Sequence, residues 1–347
     1  MIFEKELGIN KAFDVIGFGE VMLRLSPPNK ERISQGEVFE KRAGGSELNV
    51  VSGISSLGLR TGIITKLPDN EIGKFIKNKI RFYGVSDDYV IYDKSQHGRL
   101  GIYYFESGAH PRKPTVVYDR YGSSFNTITE EEINPSVYNN AKIFHVSGIS
   151  LALSDNVRRV AIQMIKKFKQ NGVIISLDVN YRASLWDEGI ARNVITSIFP
   201  DIDILFVSEE TSRRMLQRSG TLDEIMKGFA RDYNIKVVAT TERKAISPTK
   251  HSWNSRIYSA VEDRFYQEEP YEEIEVVDRI GSGDAYVAGV LFGIIKYNCL
   301  QRALEFGNAM AALKNTVPGD LPACDFNEIE RVIKSHKKDG IDSEMNR

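Results

Sequence analysis

Short apolar runs alternate along the chain with segments in which apolar residues recur at helical spacing. Runs such as KIFHVSG (142–148) and VIISLDVN (173–180) are typical of strands buried in a parallel sheet. Residues 154–168 begin with a serine N-cap and continue with the apolar face of a helix. Two capping-box patterns predict further helix starts, namely Thr129 with Glu132 and Thr221 with Glu224. The alternation predicts an α/β fold whose central, mostly parallel sheet is flanked by helices.

Two stretches of the chain depart from this rhythm. Residues 21–42 and 99–123 show alternating polar and apolar positions and several turn residues. We expect them to form a small β-sheet that projects from the main domain and covers a cleft as a lid. Residues 242–256, ERKAISPTKHSWNSR, are predicted to be a polar loop. The main domain is expected to span residues 14–334, and the charged, aperiodic residues 335–347 to form a disordered tail.

The composition argues against several classes of partner. The 347 residues contain 46 Lys and Arg against 47 Asp and Glu, so no strong field favours nucleic acid or an anionic membrane. No apolar run reaches the ~20 residues of a membrane span, and the N-terminus lacks the apolar core of a signal peptide. Cys299 and Cys324 have no metal-like spacing and are expected to be inert thiols in a reducing compartment. We therefore expect a soluble, cytoplasmic protein that binds small molecules.

The sequence DRIGSGDAYVAG (278–289) predicts an anion site at the start of a helix. Gly281, Ser282 and Gly283 put little side chain in front of the backbone where a helical apolar spacing begins. The free N–H groups and the helix dipole at such a terminus attract a phosphate or a developing negative charge. Asp284 would repel a bound phosphate, but it can take the proton from a hydroxyl that attacks one. The alternative is that the dipole alone favours an aspartate in this turn.

A second glycine motif, AGGSELN (43–49), predicts that another group can come close to the backbone there. Gly44 and Gly45 leave room for that approach, and Ser46 is a good N-cap for the apolar helix that follows. Asn49 lies early in this helix. It either binds a sugar hydroxyl or serves as a structural amide.

Polar residues follow two of the predicted strands. They are Asp178, Asn180 and Arg182 after the first strand, and Ser208, Glu209 and Glu210 after the second. Open α/β sheets place their chemistry at the carboxyl ends of parallel strands, so these residues are candidates for a site.

Two common nucleotide-binding motifs are not supported by the sequence. The Gly17 and Gly19 pair lacks the third glycine of a dinucleotide fingerprint, and the chain contains no GxxxxGK[ST] phosphate loop.

In this order, the motifs AGGSELN and DRIGSGDAYVAG resemble the two signatures of the ribokinase-like, or PfkB, carbohydrate kinases. The resemblance covers roughly residues 14–334 and implies a ribokinase-like fold. It also implies phosphorylation of a sugar hydroxyl by ATP with Mg²⁺, and it leaves a monovalent cation open. In the family, the aspartate of the GxGD motif is the base, and the backbone N–H groups before it form the anion hole. These positions are Asp284 and residues 281–283 in this chain.

Within the family, four segments resemble the members that act on 2-keto-3-deoxygluconate. They are DVNYRASLW (178–186), GIYYFESGAHPRKPTVVYDR (101–120), VDRIGSGDA (277–285) and ALKNTVPGD (312–320). The resemblance implies the substrate-binding residues Gly44, Gly45, Asn49, Tyr103, Tyr118, Arg120, Arg182 and Asp320. A sugar acid carries a carboxylate that a neutral sugar lacks, and Arg120 and Arg182 are expected to recognise it. The alternatives are that either arginine forms a structural salt bridge and that the tyrosines only pack.

The nucleotide side of the predicted site departs from the family pattern. The resemblance implies the cofactor-binding residues Asp178, Asn180, Ser208, Thr240, Gly283, Asn308 and Lys314. Family members commonly carry Asn-x-x-Glu, a motif tied to phosphate and magnesium, where this chain has Ser-Glu-Glu-Thr at 208–211. Glu209 or Glu210 is expected to act on the metal through water, or simply to begin a helix. The glycine-bearing turn that often follows the nucleotide-side strand is replaced here by residues 242–256.

Two alternatives to a keto-deoxy sugar acid kinase stay open. Another member of the family, such as a fructokinase or a nucleoside kinase, would share both glycine motifs. A catalytically silent sugar-acid sensor would keep the fold, and the altered segment 208–211 favours it, whereas Asp284 and its glycines argue against it.

The small sheet is also predicted to join two copies of the chain. Its outward face carries apolar residues such as Ile102 and Val117, which are a poor surface in water. We therefore expect a homodimer, or a dimer of dimers, that forms through the lid.

Overall fold

The computed structural model describes residues 2–247 and 249–337. Its strands are β1 (Phe13–Phe18), β2 (Met22–Ser26), β3 (Glu40–Gly44), β4 (Thr61–Pro68), β5 (Val90–Asp93), β6 (Ile102–Glu106), β7 (Thr115–Asp119), β8 (Ala141–Ser147), β9 (Ile174–Asp178), β10 (Ile204–Phe206), β11 (Val237–Ser247), β12 (Lys250–Ser259), β13 (Arg264–Gln267) and β14 (Tyr271–Glu275). Its α-helices are α1 (Glu4–Leu7), α2 (Ser46–Ser56), α3 (Glu71–Phe82), α4 (Gly148–Ala152), α5 (Asp155–Gln170), α6 (Glu188–Ile198), α7 (Glu209–Arg214), α8 (Leu222–Tyr233), α9 (Ser282–Tyr297), α10 (Leu300–Asn315) and α11 (Phe326–Lys337).

The larger sheet confirms the predicted α/β core. Its strands follow the order β13-β12-β11-β10-β9-β8-β1-β4-β5, and β14 pairs with β12. The pairs from β11 to β5 are parallel, whereas β12 joins β11, β13 and β14 in antiparallel pairs. Side chains of a strand alternate between its faces, so Val15 of β1 joins the core with α2, α9 and α10, and Ile16 joins the core with α5, α6 and α8. Helices therefore cover both faces of the sheet.

Two of the three predicted helix starts are confirmed. Ser154 Oγ accepts a hydrogen bond from the N–H of Val157 at the start of α5, and Thr221 and Glu224 form a reciprocal capping box at the start of α8. The third prediction is wrong, because Thr129 and Glu132 make a backbone-to-carboxylate contact but only a turn and a 3₁₀ helix follow. Pro135 disfavours helical backbone in the residue before it, which explains why no α-helix begins here.

The two alternating stretches form a separate four-stranded sheet in the order β3-β2-β6-β7, as predicted. Strands β2 and β6 are parallel, and the other two pairs are antiparallel. Its inner side chains Met22, Tyr103 and Phe105 pack together and against Ile280. All residues of the edge strand β7 are exposed. The small sheet therefore contacts the segment that leads into α9 and leaves its own edge open.

The prediction of a polar loop at 242–256 is wrong, because residues 242–247 and 250–256 belong to an antiparallel pair of strands, β11 and β12, and Pro248 lies outside the described residues. The register places Arg243 opposite Trp253. Every second residue along the first part of β12 is buried, including His251, Trp253 and Ser255. The period of two was present in the sequence, but histidine and serine on the buried face hide it from a search for apolar residues.

The chain stays ordered further toward its C-terminus than predicted, because α11 extends to Lys337. Ile329 and Ile333 bury one face of this helix, and Lys337 Nζ lies 2.6 Å from Glu305 Oε1. Three residues assigned to the disordered tail are therefore helical, and residues 338–347 lie outside the described chain. None of the helices described is long and apolar enough to cross a membrane.

Candidate active site

A cleft of about 820 Å³ is lined by both the small sheet and the carboxyl ends of the main strands. The predicted site residues that line it are Gly45, Asn49, Tyr103, Tyr118, Arg120, Asp178, Asn180, Arg182, Ser208, Glu209, Glu210, Thr240, Gly281, Ser282, Gly283, Asp284 and Asp320. Three further predicted residues, Gly44, Asn308 and Lys314, are not among the residues that line it. The fold thus brings polar groups from distant parts of the chain to one edge of the main sheet.

The start of α9 opens onto the cleft. Gly281 is its N-cap and has a φ of 83°, and a Cβ at this residue would lie 2.1 Å from the carbonyl oxygen of Asp320. A Cβ at Gly283 would meet no atom within 4 Å. Glycine is therefore required at 281 by the backbone, whereas at 283 it leaves space in front of the helix. The N–H groups of this first turn have no acceptor within the helix and suit an anion.

Asp284 lies buried in the same turn, with both carboxylate oxygens hydrogen bonded. Ser46 Oγ donates to Oδ1 and Asn49 Nδ2 donates to Oδ2, each at 2.7 Å. Burial raises the pKa of Asp284, and the two hydrogen bonds oppose that rise. The prediction that Ser46 caps α2 is wrong, since Gly45 is the N-cap and the serine hydroxyl binds Asp284 instead.

A second carboxylate, Asp178, faces Asp284 from the end of β9. Burial and then the negative charge of Asp284 raise the pKa of Asp178 to about 7, while Arg182 opposes the rise. Asn180 has a φ of 37°, and its Nδ2 donates to Ser46 Oγ at 3.1 Å. The end of β9 and the starts of α2 and α9 therefore share one polar network around Asp284.

Asp320 belongs to a buried network that sequence reasoning missed. Arg24 of β2 lies 2.6 Å from Asp320 Oδ1 and 2.6 Å from Asp278 Oδ2, and its guanidinium stacks 4.4 Å from the Phe105 ring centre. Tyr103 OH donates to the other oxygen of Asp320. Burial raises the pKa of Asp320, and Arg24 opposes the rise. The available signal was an arginine inside the apolar strand pattern MLRL.

The two glycines of the AGGSELN motif let other atoms of the protein come close to the backbone. A Cβ at Gly44 would lie 2.5 Å from Asp320 Oδ2 and 2.8 Å from the hydroxyl oxygen of Tyr103. Gly45 has a φ of 146°, and a Cβ there would lie 2.5 Å from the carbonyl oxygen of Glu20. Gly44 therefore lets the buried network form, and Gly45 lets the chain turn into α2 at the cleft.

Arg120 lines the cleft with its guanidinium already paired. Its Nε donates to Glu20 Oε2 at 2.8 Å, its Nη2 contacts the same oxygen, and Ser123 donates to the other oxygen of Glu20. The Arg120 guanidinium also lies 5.5 Å from the ring centre of Tyr118, which is 48% exposed. Glu20 was missed, although a charged residue at the end of the apolar run DVIGFGE was a usable signal.

Three other arginines line the cleft without a salt bridge to an acid in the described chain. They are Arg182 after β9, Arg243 in β11 and Arg279 before α9. Arg182 Nη1 donates only to the carbonyl oxygen of Tyr181, at 3.1 Å. Sequence reasoning missed Arg243 because its segment was taken for a loop, and it treated Arg279 only as a sign of resemblance.

Three of the residues expected to serve nucleotide and metal, Ser208, Glu209 and Glu210, lie at the start of α7. Ser208 caps α7 by accepting from the N–H of Thr211, while Glu209 and Glu210 pair with arginines one turn further along that helix. No group of three or more metal-binding side chains occurs among the described residues. Mg²⁺ often binds through phosphates and water with one or two carboxylates, so Glu209 and Glu210 fit that arrangement and a dedicated protein cage is not built here.

Asn308 and Lys314 of α10 do not line the cleft but form hydrogen bonds with residues next to it or in its wall. Asn308 Oδ1 accepts hydrogen bonds from Trp253 Nε1 at 3.1 Å and from Ser255 Oγ at 2.6 Å. Lys314 Nζ donates to the carbonyl oxygen of Asp278 at 3.0 Å, and burial lowers the pKa of this amine. Trp253 and Ser255 line the cleft, so Asn308 positions the residues that face a ligand there.

Comparisons with known proteins agree with this geometry. The chain is 34% identical over 321 residues to 2-dehydro-3-deoxygalactonokinase of Haloferax volcanii, which covers 92% of this chain and 96% of that protein. It is 26% identical to 5-dehydro-2-deoxygluconokinase of Clostridium perfringens, with 96% of each chain covered. The solved structure of 2-dehydro-3-deoxygluconokinase from Thermotoga maritima is 33% identical with a TM-score of 0.88, covering 93% of this chain and 98% of that one. The family profile described as pfkB family carbohydrate kinase matches residues 12–324, and the chain belongs to this family.

Proposed function

We propose that this carbohydrate kinase transfers the terminal phosphoryl group of ATP to the terminal hydroxyl of 2-keto-3-deoxygluconate or a similar keto-deoxy sugar acid. The observation that carries the proposal is the buried Asp284 carboxylate in the first turn of α9, beside backbone N–H groups that open onto the cleft. The names of the Haloferax and Thermotoga relatives support a keto-deoxy sugar acid, because both align over more than nine-tenths of the chain.

Asp284 acts as the base in this proposal. Ser46 and Asn49 hold its two oxygens and so orient the carboxylate at the cleft. As the sugar hydroxyl oxygen bonds to the terminal phosphorus, its proton passes to Asp284, and the bond from phosphorus to the bridging oxygen breaks with its electron pair leaving on ADP. The N–H groups of residues 281–283 stabilise negative charge on the transferred phosphoryl oxygens.

The donor nucleotide occupies the large-sheet side of the cleft. Ser208, Thr240 and Trp253 line that side, and Thr240 Oγ1 is buried without a hydrogen-bond partner among the described residues. A buried hydroxyl without a partner suits a ligand that supplies one. Glu209 and Glu210 would hold Mg²⁺ through water. When bound, the metal neutralises charge on the phosphates.

The acid end of the sugar is bound by Arg182, and Arg120 lines the same cleft from the small sheet. Arg182 has no acidic partner in the described chain, so its guanidinium is available for a carboxylate. Arg120 forms an ion pair with Glu20, which fixes its position at one edge of the sugar site. Tyr118 on β7 and Tyr103 on β6 complete the wall on the small-sheet side.

A neutral-sugar kinase of the same family, such as a fructokinase, is the second candidate. The observation that favours it is the Glu20–Arg120 ion pair, which removes net charge from one of the two arginines expected at the carboxylate. A silent sensor has no comparable support, because Asp284 keeps both hydrogen-bond donors and an open helix terminus beside it.

A coupled assay of ADP release across a substrate panel tests the proposal. The panel contains 2-keto-3-deoxygluconate, its galacto epimer, 5-keto-2-deoxygluconate, fructose and a nucleoside, each with ATP and Mg²⁺. We expect turnover with one of the keto-deoxy acids and a specificity constant for fructose lower by ~10-fold or more, the loss of about one charge-assisted hydrogen bond. Turnover that is fastest with fructose or the nucleoside would contradict the sugar-acid assignment and leave the kinase assignment in place.

The small sheet is proposed to join two copies of the chain. Its edge strand β7 pairs only with β6 in the described chain and exposes Val116, Val117 and Tyr118, with Val117 at 49%. An exposed edge with apolar side chains is covered most simply by a second copy. Light scattering at micromolar concentration should give at least twice the monomer mass, and Val117→Lys should lower it. A monomer mass for the parent protein would refute this assembly.

A further inference from the structure

Three arginines without a salt bridge in the described chain line the cleft. Arg182, Arg243 and Arg279 come from three separate elements and line the same cavity. Most other arginines of the described chain have an acidic partner, for example Arg256 with Asp223. Carboxylates such as Asp178 and Asp284 line the same cavity, but none of the described ones forms a salt bridge with these three arginines. Guanidinium groups that line an open cavity without a salt bridge are available to an anion that the protein itself does not supply.

The three guanidinium groups are close enough to repel one another. Desolvation by the cleft walls, then the charges of Arg279 and Arg182, lower the pKa of Arg243, although an arginine still keeps its proton. Burial and the charges of Arg243 and Arg279 also lower the pKa of His251, so that imidazole stays neutral behind them. Mutual repulsion of this kind costs stability in the empty protein, and a bound anion relieves it.

Two of the three arginines belong to the donor side of the cleft. Arg243 projects from β11, which lies four strands from β1 in the main sheet, or roughly 19 Å at the usual strand spacing. The small sheet is attached next to β1, so β11 is on the far side from the sugar-binding wall. Arg279 lies two residues before Gly281, where α9 begins. Arg243 therefore lines the cleft from the strand that also carries Thr240, and Arg279 lines it from the segment that leads into the anion hole.

Glu209 and Glu210, the carboxylates expected to hold Mg²⁺, cannot by themselves supply positive charge to the phosphates. Glu209 lies 2.6 Å from Arg213 and Glu210 lies 3.0 Å from Arg214, so both acids already have cationic partners one helical turn away. Phosphoryl transfer needs positive charge against the phosphate oxygens. In this chain the side chains that can supply it beside the anion hole are guanidinium groups.

We propose that Arg243 and Arg279 bind the phosphate chain of the phosphoryl donor and neutralise part of its charge directly. The assignment rests on the proposed kinase function and adds a donor-side phosphate site that the altered segment 208–211 makes necessary. A planar guanidinium contacts two phosphate oxygens at once and brings its positive charge without a metal. Arg182 remains available to the sugar carboxylate.

The test is equilibrium binding by calorimetry of adenosine, AMP, ADP, ATP and tripolyphosphate, with and without EDTA. The variants are Arg243→Met, Arg279→Met and the corresponding lysine substitutions. Arg331→Met on the exposed face of α11 is the matched control. Each methionine variant should weaken ADP, ATP and tripolyphosphate by ~10- to 150-fold in EDTA, the loss of one charge-assisted contact. Adenosine should change less than ~2-fold, and lysine should restore part of the loss.

The outcomes separate this inference from the proposed function. Equal losses for adenosine and ATP, or ATP affinity unchanged in both methionine variants, would overturn the phosphate site even if the parent phosphorylates keto-deoxy acids. Phosphate-dependent losses in a protein that phosphorylates none of the acids would support the donor site and refute only the substrate assignment. A loss of keto-acid binding in the absence of nucleotide would instead place the sugar carboxylate at Arg243 or Arg279 and overturn the inference.

Discussion

The two walls of the cleft hold their arginines in different ways. On the small-sheet side, Arg24 binds Asp278 and Asp320 in a buried network, and Arg120 binds Glu20. On the large-sheet side, Arg182, Arg243 and Arg279 have no acidic partner among the residues described. An internal ion pair fixes the position of a guanidinium but uses its charge, whereas an unpaired guanidinium keeps its charge for a ligand. Ion pairs therefore fix the arginines of the first wall, whereas those of the second wall keep the charge on which our proposal rests.

The arginines of the two walls should also affect different properties, namely folding stability on the small-sheet side and ligand binding on the other side. Side chains of Arg24 and Asp320 are each 4% exposed, so removal of either leaves a buried charge without its partner. The arginines of the other wall are at least partly exposed, so their removal should cost little folding energy. Variants of the two walls should consequently fail in different experiments.

The largest expected effect is at Asp284, where the two walls meet. Asp284→Asn keeps the size of the side chain but cannot accept the proton, so turnover should fall ~100- to 10,000-fold. Calorimetry should show that the sugar and ATP still bind, because neither wall has changed. Asp69→Asn, an exposed turn residue, is the control. Near-normal turnover of Asp284→Asn would remove this residue from the role of base.

The next effect concerns Arg24, the buried arginine of the small-sheet wall. Arg24→Met leaves Asp278 and Asp320 buried without their cation, which should lower the free energy of unfolding by ~3–5 kcal/mol in urea. Arg279→Met on the other wall should change it by less than ~1 kcal/mol. If both variants lose the same stability, the walls do not differ in the way described. A double variant with Asp320→Asn should recover part of the loss, because one buried charge is removed.

A smaller effect should distinguish Arg182 from Arg120. Arg182→Ala should lower the specificity constant for the keto acid by ~10- to 150-fold, because a carboxylate loses a charge-assisted hydrogen bond. A neutral sugar should lose little. Arg120→Ala should lower the constants for the acid and the neutral sugar alike, since its main partner is Glu20. An acid-to-neutral ratio that stays unchanged in Arg182→Ala would favour the neutral-sugar kinase.

The smallest effect is a pH dependence at Asp178. Because the pKa of Asp178 is raised to about 7, the folded protein holds a proton there that the unfolded chain releases near pH ~4. Stability should therefore fall as the pH rises between these values. Asp178→Asn removes this contribution, so its melting temperature should fall less from pH 5 to pH 7.5 than that of the parent. Equal pH slopes for the parent and the variant would contradict the raised pKa.

Much of the fold could be predicted from local patterns. Apolar runs and helical spacing identify the parallel strands and most helices, because each element must bury one face whatever its neighbours are. Two elements were not predicted from these patterns. The β11–β12 hairpin buries His251 and Ser255, and α11 continues into a charged segment, so apolarity alone did not identify either element. In both cases the partners that bury these residues come from distant parts of the chain.

The sequence by itself determined the glycine-rich turn at the start of α9 and the family. Residues 281–284 are contiguous, and their chemistry follows from a helix terminus, which is local. Only the tertiary structure decided which charges remain free. Arg24 and Arg120 look like Arg182 and Arg279 in the sequence, but partners up to 296 residues away neutralise Arg24 and leave Arg279 open. A pairing of charges depends on distances across the fold, and no local pattern of residues encodes those distances.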